Sequence, residues 1–128
     1  MFTKSRILVF AFVLFIPSVS MAPTTAANQS WSAFWTQFSS AVNKKSKASV
    51  KALMASENDF FSGGGGESRD EWLQMVEQQR WWGLLQKSVR LGVKVSNSDG
   101  KPGRVTRDNH LTFAYIRGQW RFTGPMGD

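Results

Sequence analysis

The hydrophobic period of this chain changes once, near residue 91, and that change limits the folds open to it. From Trp31 to Leu85 apolar residues recur at helical spacing, and from Leu91 to Phe122 they alternate. Helices first and antiparallel strands second make an α+β domain, with the helices laid on one face of the sheet. Trp31, Phe34, Trp35, Phe38 and Val42 form one stripe, with Ser30 or Asn28 as the cap of the first helix. Asn43 to Ser46 breaks it. A shorter helix starting at Ser46 presents Val50, Leu53 and Met54, which completes a helical hairpin.

Gly63 to Gly66 form a flexible connector, or a lid over a pocket. Ser68 and Glu71 have capping-box spacing, which predicts a third helix bearing Trp72, Met75 and Val76. The stripe loses phase at Gln79-Arg80 before Trp81, Trp82, Leu84 and Leu85, so a kink or break is expected near Arg80. Leu91, Val93 and Val95 begin the alternation, and Asp99-Gly100 and Pro102-Gly103 have turn composition. After a short strand over 104–107, Leu111, Phe113 and Tyr115 share one face of the next strand. Arg117-Gly118 turns the chain, and Trp120 and Phe122 continue the alternation. The expected sheet has three to four strands.

The N-terminus carries Lys4 and Arg6, then an apolar run from Ile7 to Ile16, then Pro17 and small residues, the order of a secretory signal peptide. About 10 residues at 1.5 Å each cover only half of a ~30 Å hydrocarbon core, too little for a membrane span. Residues 1–27 are therefore expected to be a signal peptide and leader, and residues 28–128 one soluble domain in the periplasm or secreted. The sequence has no cysteine, so neither lipidation at a cleavage-site thiol nor a disulfide is available, and the hydrophobic core must hold the domain alone. Loss of Lys4 and Arg6 with the leader lowers the net charge from +7 to +5. That excess favours anionic partners. Nucleic acid is not an expected partner for an exported protein.

Phe34-Trp35-Thr36-Gln37-Phe38 with Ala41-Val42, then Val50 to Met54, and finally Gly118-Gln119-Trp120-Arg121-Phe122 resemble the nuclear transport factor 2-like superfamily, including its exported SnoaL-like members. The resemblance covers about two thirds of residues 28–128 in outline. It implies a helical hairpin and third helix packed into a curved sheet, with a conical pocket between them. A strand pair usual between the second and third helices is missing here, which implies a reduced sheet. Catalytic members set an acid and a base in the pocket, and no such set transfers to these positions.

Glu57 and Asp59 flank the loop before Phe60-Phe61, and either carboxylate pressed against an aromatic ring would be a candidate general base. Trp35, Trp72, Trp81, Trp82 and Tyr115 are the candidate ligand contacts, because aromatic rings give a pocket large apolar faces. Lys44, Lys45, Lys47 and Lys51 cluster at the helical hairpin as a candidate anionic-surface patch. His110 is the only histidine and reads as an exposed turn residue beside Asp108 and Asn109. A Ser-His-Asp set built on it lacks nucleophile-elbow spacing. No metal site or cofactor is expected.

These features lead to an expected exported, non-catalytic domain that takes a small apolar ligand or a partner protein into an aromatic-lined concavity. The alternatives are a pocket enzyme of isomerase or cyclase type using Glu57 or Asp59, and a basic module docking on anionic cell-surface polymers or lipids. A homodimer paired through the sheet is a further partner the reading leaves open.

Overall fold

The computed structural model describes residues 29–64, 66–97 and 102–125. The leader at 1–27, Asn28, Gly65 and the turn at Asp99-Gly100 lie outside the described residues. Within them the chain is α+β: α1 (Trp31–Asn43), α2 (Lys47–Ala52), α3 (Arg69–Gln78), α4 (Trp82–Leu91), then β1 (Val93–Val95), β2 (Gly103–Thr106), β3 (Leu111–Ile116) and β4 (Gln119–Pro125). The four strands form one antiparallel sheet in sequence order.

The helix boundaries follow from local chemistry. Ser30 caps α1 by accepting from the Ala33 amide at 3.0 Å, and Ser46 caps α2. The expected capping box opens α3: Glu71 N–H donates to the Ser68 hydroxyl at 3.1 Å, and Ser68 N–H donates to the Glu71 carboxylate at 2.8 Å. α1 and α3 end alike. The Ser46 amide reaches back to the Ala41 carbonyl and the Lys45 amide to Val42, while Trp81 and Arg80 make the same bonds to Val76 and Glu77. This is a Schellman closure, and it puts Lys45 (φ 55) and Arg80 (φ 58) in the left-handed region that glycine occupies best. The loss of phase near Arg80 is therefore a full break. Leu91, expected to open the strand run, closes α4 instead, and β1 begins after Gly92.

Between helices and sheet lies a core of rings. Phe113 on β3 meets Trp31, Phe34, Trp35 and Phe38 of α1 at centroid distances of 5.4, 5.9, 5.6 and 5.0 Å, all edge-on. Phe122 on β4 packs on Phe38, Phe60, Trp72 and Phe113. Phe34, Phe38, Phe113 and Phe122 are buried, so α1 fills the concave face of the sheet with its own side chains.

β4 would be an open edge, but three pieces of chain cover it. Gln29 accepts from the Trp120 amide through its side chain, Leu53 O accepts from Phe122 N–H, and Ala55 N–H donates to Phe122 O. A β-bulge leaves Thr123 between the pairs Thr112↔Gly124 and Phe113↔Phe122, and the Thr123 carbonyl accepts from Phe61 N–H at 2.9 Å. The segment after α2 thus serves as an edge cover. At the other end of the hairpin, Arg117 (φ 50) and Gly118 (φ 82) form a two-residue turn with both φ values positive. No helix among the described residues is long and apolar enough to cross a membrane.

Candidate functional site

The aromatic residues expected to contact a ligand separate into two groups. Trp35 stacks between Trp31 and Phe38 on the flank of α1, and Tyr115 packs on Trp120 at 5.4 Å. The Arg104 guanidinium lies over Trp31 and Trp120, 5.4 and 4.9 Å from their centroids, and covers that side of the cluster. Trp82 is buried and donates its indole N–H to the Glu77 carboxylate. Trp72 and Trp81, by contrast, meet at one open cleft of about 170 Å³, walled also by Leu84, Leu85, Leu111 and Pro125.

The Schellman break positions this cavity. It ends α3 at Gln78, nearly two turns beyond Trp72, and swings Trp81, half-buried, to the entry of α4, whose Leu84, Leu85 and Ser88 form the next wall. Leu84 is 56% exposed although apolar. The start of β3 and the end of β4 close the floor, and a β-carbon at Gly63 would stand 3.6 Å from Pro125, so Gly63 lies beside one wall.

At the rim sits a polar cluster that sequence spacing did not reveal as a unit. The Ser88 hydroxyl donates to Asp108 Oδ2 at 2.8 Å, the Thr106 hydroxyl donates to Asp108 Oδ1 at 2.7 Å, and His110 Nδ1 lies 3.1 Å from Asp108 Oδ2. Ser88 and Thr106 are both buried, and the Thr106 hydroxyl oxygen also accepts from the His110 and Leu111 amides. Burial raises the Asp108 pKa, but the hydrogen bonds from Thr106, Ser88 and the His110 amide, with the His110 charge, outweigh it and hold the carboxyl below its usual range. The set is not an acyl-transfer triad. That chemistry needs histidine between serine and aspartate, whereas here the serine hydroxyl donates directly to the aspartate and Ser88 is 1% exposed. The sequence placed His110 beside Asp108 in a turn, but Ser88 was hidden because it comes from α4, twenty residues before Asp108.

The candidate carboxylates lie elsewhere. Glu57 accepts from the Arg69 backbone N–H at 3.2 Å and from its side-chain Nε at 3.1 Å, and Asp59 accepts from Ser56 at 3.1 Å with Arg117 at 3.8 Å. Neither lines the Trp72–Trp81 cavity. Lys44, Lys45 and Lys47 are exposed, and Lys51 pairs with Asp70 at 2.7 Å. The Lys51 hydrogen bond, stronger than partial desolvation, holds the Asp70 carboxyl below its usual range. Lys51, Arg69, Arg117 and Arg121 line an open groove of about 700 Å³ together with Asp59. Among the described residues no three His, Asp or Glu side chains gather as a metal site would need. No protein-family model, no curated protein and no solved structure matches the chain.

Proposed function

We propose that this domain, exported by the leader at 1–27, is a non-catalytic binding module that takes one small apolar molecule into the cavity between Trp72 and Trp81. The observation that carries the proposal is the pairing of size and lining: about 170 Å³ walled by two indoles, three leucines and a proline. A sealed apolar cavity of about 150 Å³ accepts benzene, and an open cleft of similar volume has room for a ring of that bulk, whereas drug-sized ligands need roughly 300 Å³ or more. The occupant is therefore a single ring or a short branched chain. The nuclear transport factor 2-like resemblance supports a pocket between helices and curved sheet. The main concavity is occupied by Phe34, Phe38, Phe113 and Phe122, which moves the site to the α3–α4 junction.

Toluene titration followed by tryptophan fluorescence tests this. Saturable quenching is expected, and Leu84→Asp, which sets a charge on an exposed wall position, weakens it at least fivefold. Equal response in both proteins removes the proposal.

A second reading, docking of an anionic polymer, is favoured by the four cations around the 700 Å³ groove. Lys51, Arg69 and Arg117 each face a carboxylate, which leaves a small net charge there and makes this the lesser reading. It predicts retention on anionic vesicles that weakens steeply by roughly 0.3 M salt, where the Debye length has fallen to about 6 Å. A pocket enzyme built on Glu57 or Asp59 draws no support from where those carboxylates stand.

A further inference from the structure

We infer that the cavity between Trp72 and Trp81 selects a hydroxyl-bearing ring of phenol type, with His110 Nε2 accepting the hydroxyl proton in a hydrogen bond. This rests on the apolar-ligand reading above and names the chemistry of its ligand. His110 and Ser88 are the polar members of an otherwise apolar lining. Ser88 is committed, since its proton goes to Asp108. The imidazole is oriented from one side only. Asp108 Oδ2, 3.1 Å from Nδ1, is an acceptor without a proton to give, so the neutral ring carries its hydrogen on Nδ1 and leaves Nε2 bare.

Asp108 is itself fixed by Ser88 from α4 and Thr106 from β2, so the ring is held by a side chain that two elements anchor. Nε2 has no partner among the described residues, and the His110 side chain is 62% exposed at the rim. A bare acceptor on a residue that lines an apolar slot matches a ligand with one donor on a small ring. A carboxylate would bring a second acceptor to the same atom, and a ring without a donor would leave Nε2 to water. A featureless apolar slot prefers toluene to phenol, because the phenol hydroxyl loses water on entry. An Nε2 acceptor reverses that order, and a single neutral hydrogen bond changes affinity by about two- to tenfold.

The test compares toluene with phenol on the untagged protein, in which His110 is the only histidine. Wild type is expected to bind phenol at least as tightly as toluene. His110→Leu, which keeps the bulk and removes the acceptor, is expected to favour toluene about fivefold or more. The ¹⁵N resonance of Nε2 moves upfield with phenol and stays put with toluene. Toluene binding with no phenol preference and no Nε2 shift overturns this inference and leaves the apolar pocket standing. Binding of neither compound overturns both. Should His110→Leu fail to fold, the Nε2 resonance of the wild-type protein decides alone.

Discussion

The buried hydroxyl of Ser88 on α4 donates to the carboxylate of Asp108 at the β2–β3 turn at 2.8 Å, tying the last helix to the sheet through one side chain. The same carboxylate takes the proton of buried Thr106. Asp108→Ala leaves two buried hydroxyls without this acceptor, and an unsatisfied buried polar group costs about 1–3 kcal/mol. Urea denaturation is expected to show a loss on the order of 2–4 kcal/mol. A loss below about 0.5 kcal/mol would mean that water replaces the carboxylate freely.

Because the fold holds the Asp108 carboxyl below its usual range, the folded state binds that proton less readily than the unfolded chain. The resulting stabilisation is complete above the unfolded value of about 4, and is lost as pH falls from there through the folded value. The melting-temperature gap between wild type and Asp108→Asn is therefore expected to be widest near pH 7 and to narrow below about pH 4. Asp70, also lowered, is common to both proteins and leaves the gap untouched. A gap constant from pH 7 to pH 2.5 would contradict the assignment.

Gly124 and Gly83 should respond in opposite directions to alanine. A β-carbon at Gly124 collides with the Phe61 carbonyl and lies 3.2 Å from the Phe60 ring, on a residue whose φ is +120°. Gly124→Ala is expected to cost more than about 2 kcal/mol, because the Phe61 strand cover must move and the backbone is strained. Gly83, inside α4 with nothing near its absent side chain, should gain about 0.5 kcal/mol as alanine. Thermal melts of the two variants check both signs.

Arg80 holds a left-handed conformation at the Schellman closure of α3. Arg80→Gly relieves it and is expected to raise stability by about 0.5–1 kcal/mol, net of the extra entropy glycine brings to the unfolded chain. Lys45→Gly at the matching position of α1 should behave alike. Lower melting temperatures for both would show that the arginine and lysine side chains contribute more than their backbone costs.

Local chemistry made much of this fold readable. The capping box at Ser68, the stripe from Trp31 to Val42 and the alternation through Phe122 all act over a few residues, and each forms as its spacing implies. The break at Arg80 was legible as a loss of phase, but not its form, since a left-handed arginine has no sequence marker. What stayed hidden is long-range. The cover of β4 by Gln29, Leu53, Ala55 and Phe61 joins residues far apart in sequence, and the Phe61 bond uses the carbonyl of Thr123, at a bulge that alternation does not encode. The site followed the same rule. Five aromatics were plausible ligand contacts, and only packing shows that Trp72 and Trp81 share a cavity while Trp35, Trp82 and Tyr115 serve elsewhere. Ser88 and Asp108 are brought together by the docking of α4 on the β2–β3 turn.

The cavity at Trp72 and Trp81 is tested most directly by following the six indole N–H resonances during a toluene titration. Saturable shifts confined to Trp72, Trp81 and their neighbour Trp82 are the expected result, with Trp31, Trp35 and Trp120 unmoved. Shifts centred on Trp31 and Trp35, or no saturable shift at any indole, would contradict a ligand site at the α3–α4 junction.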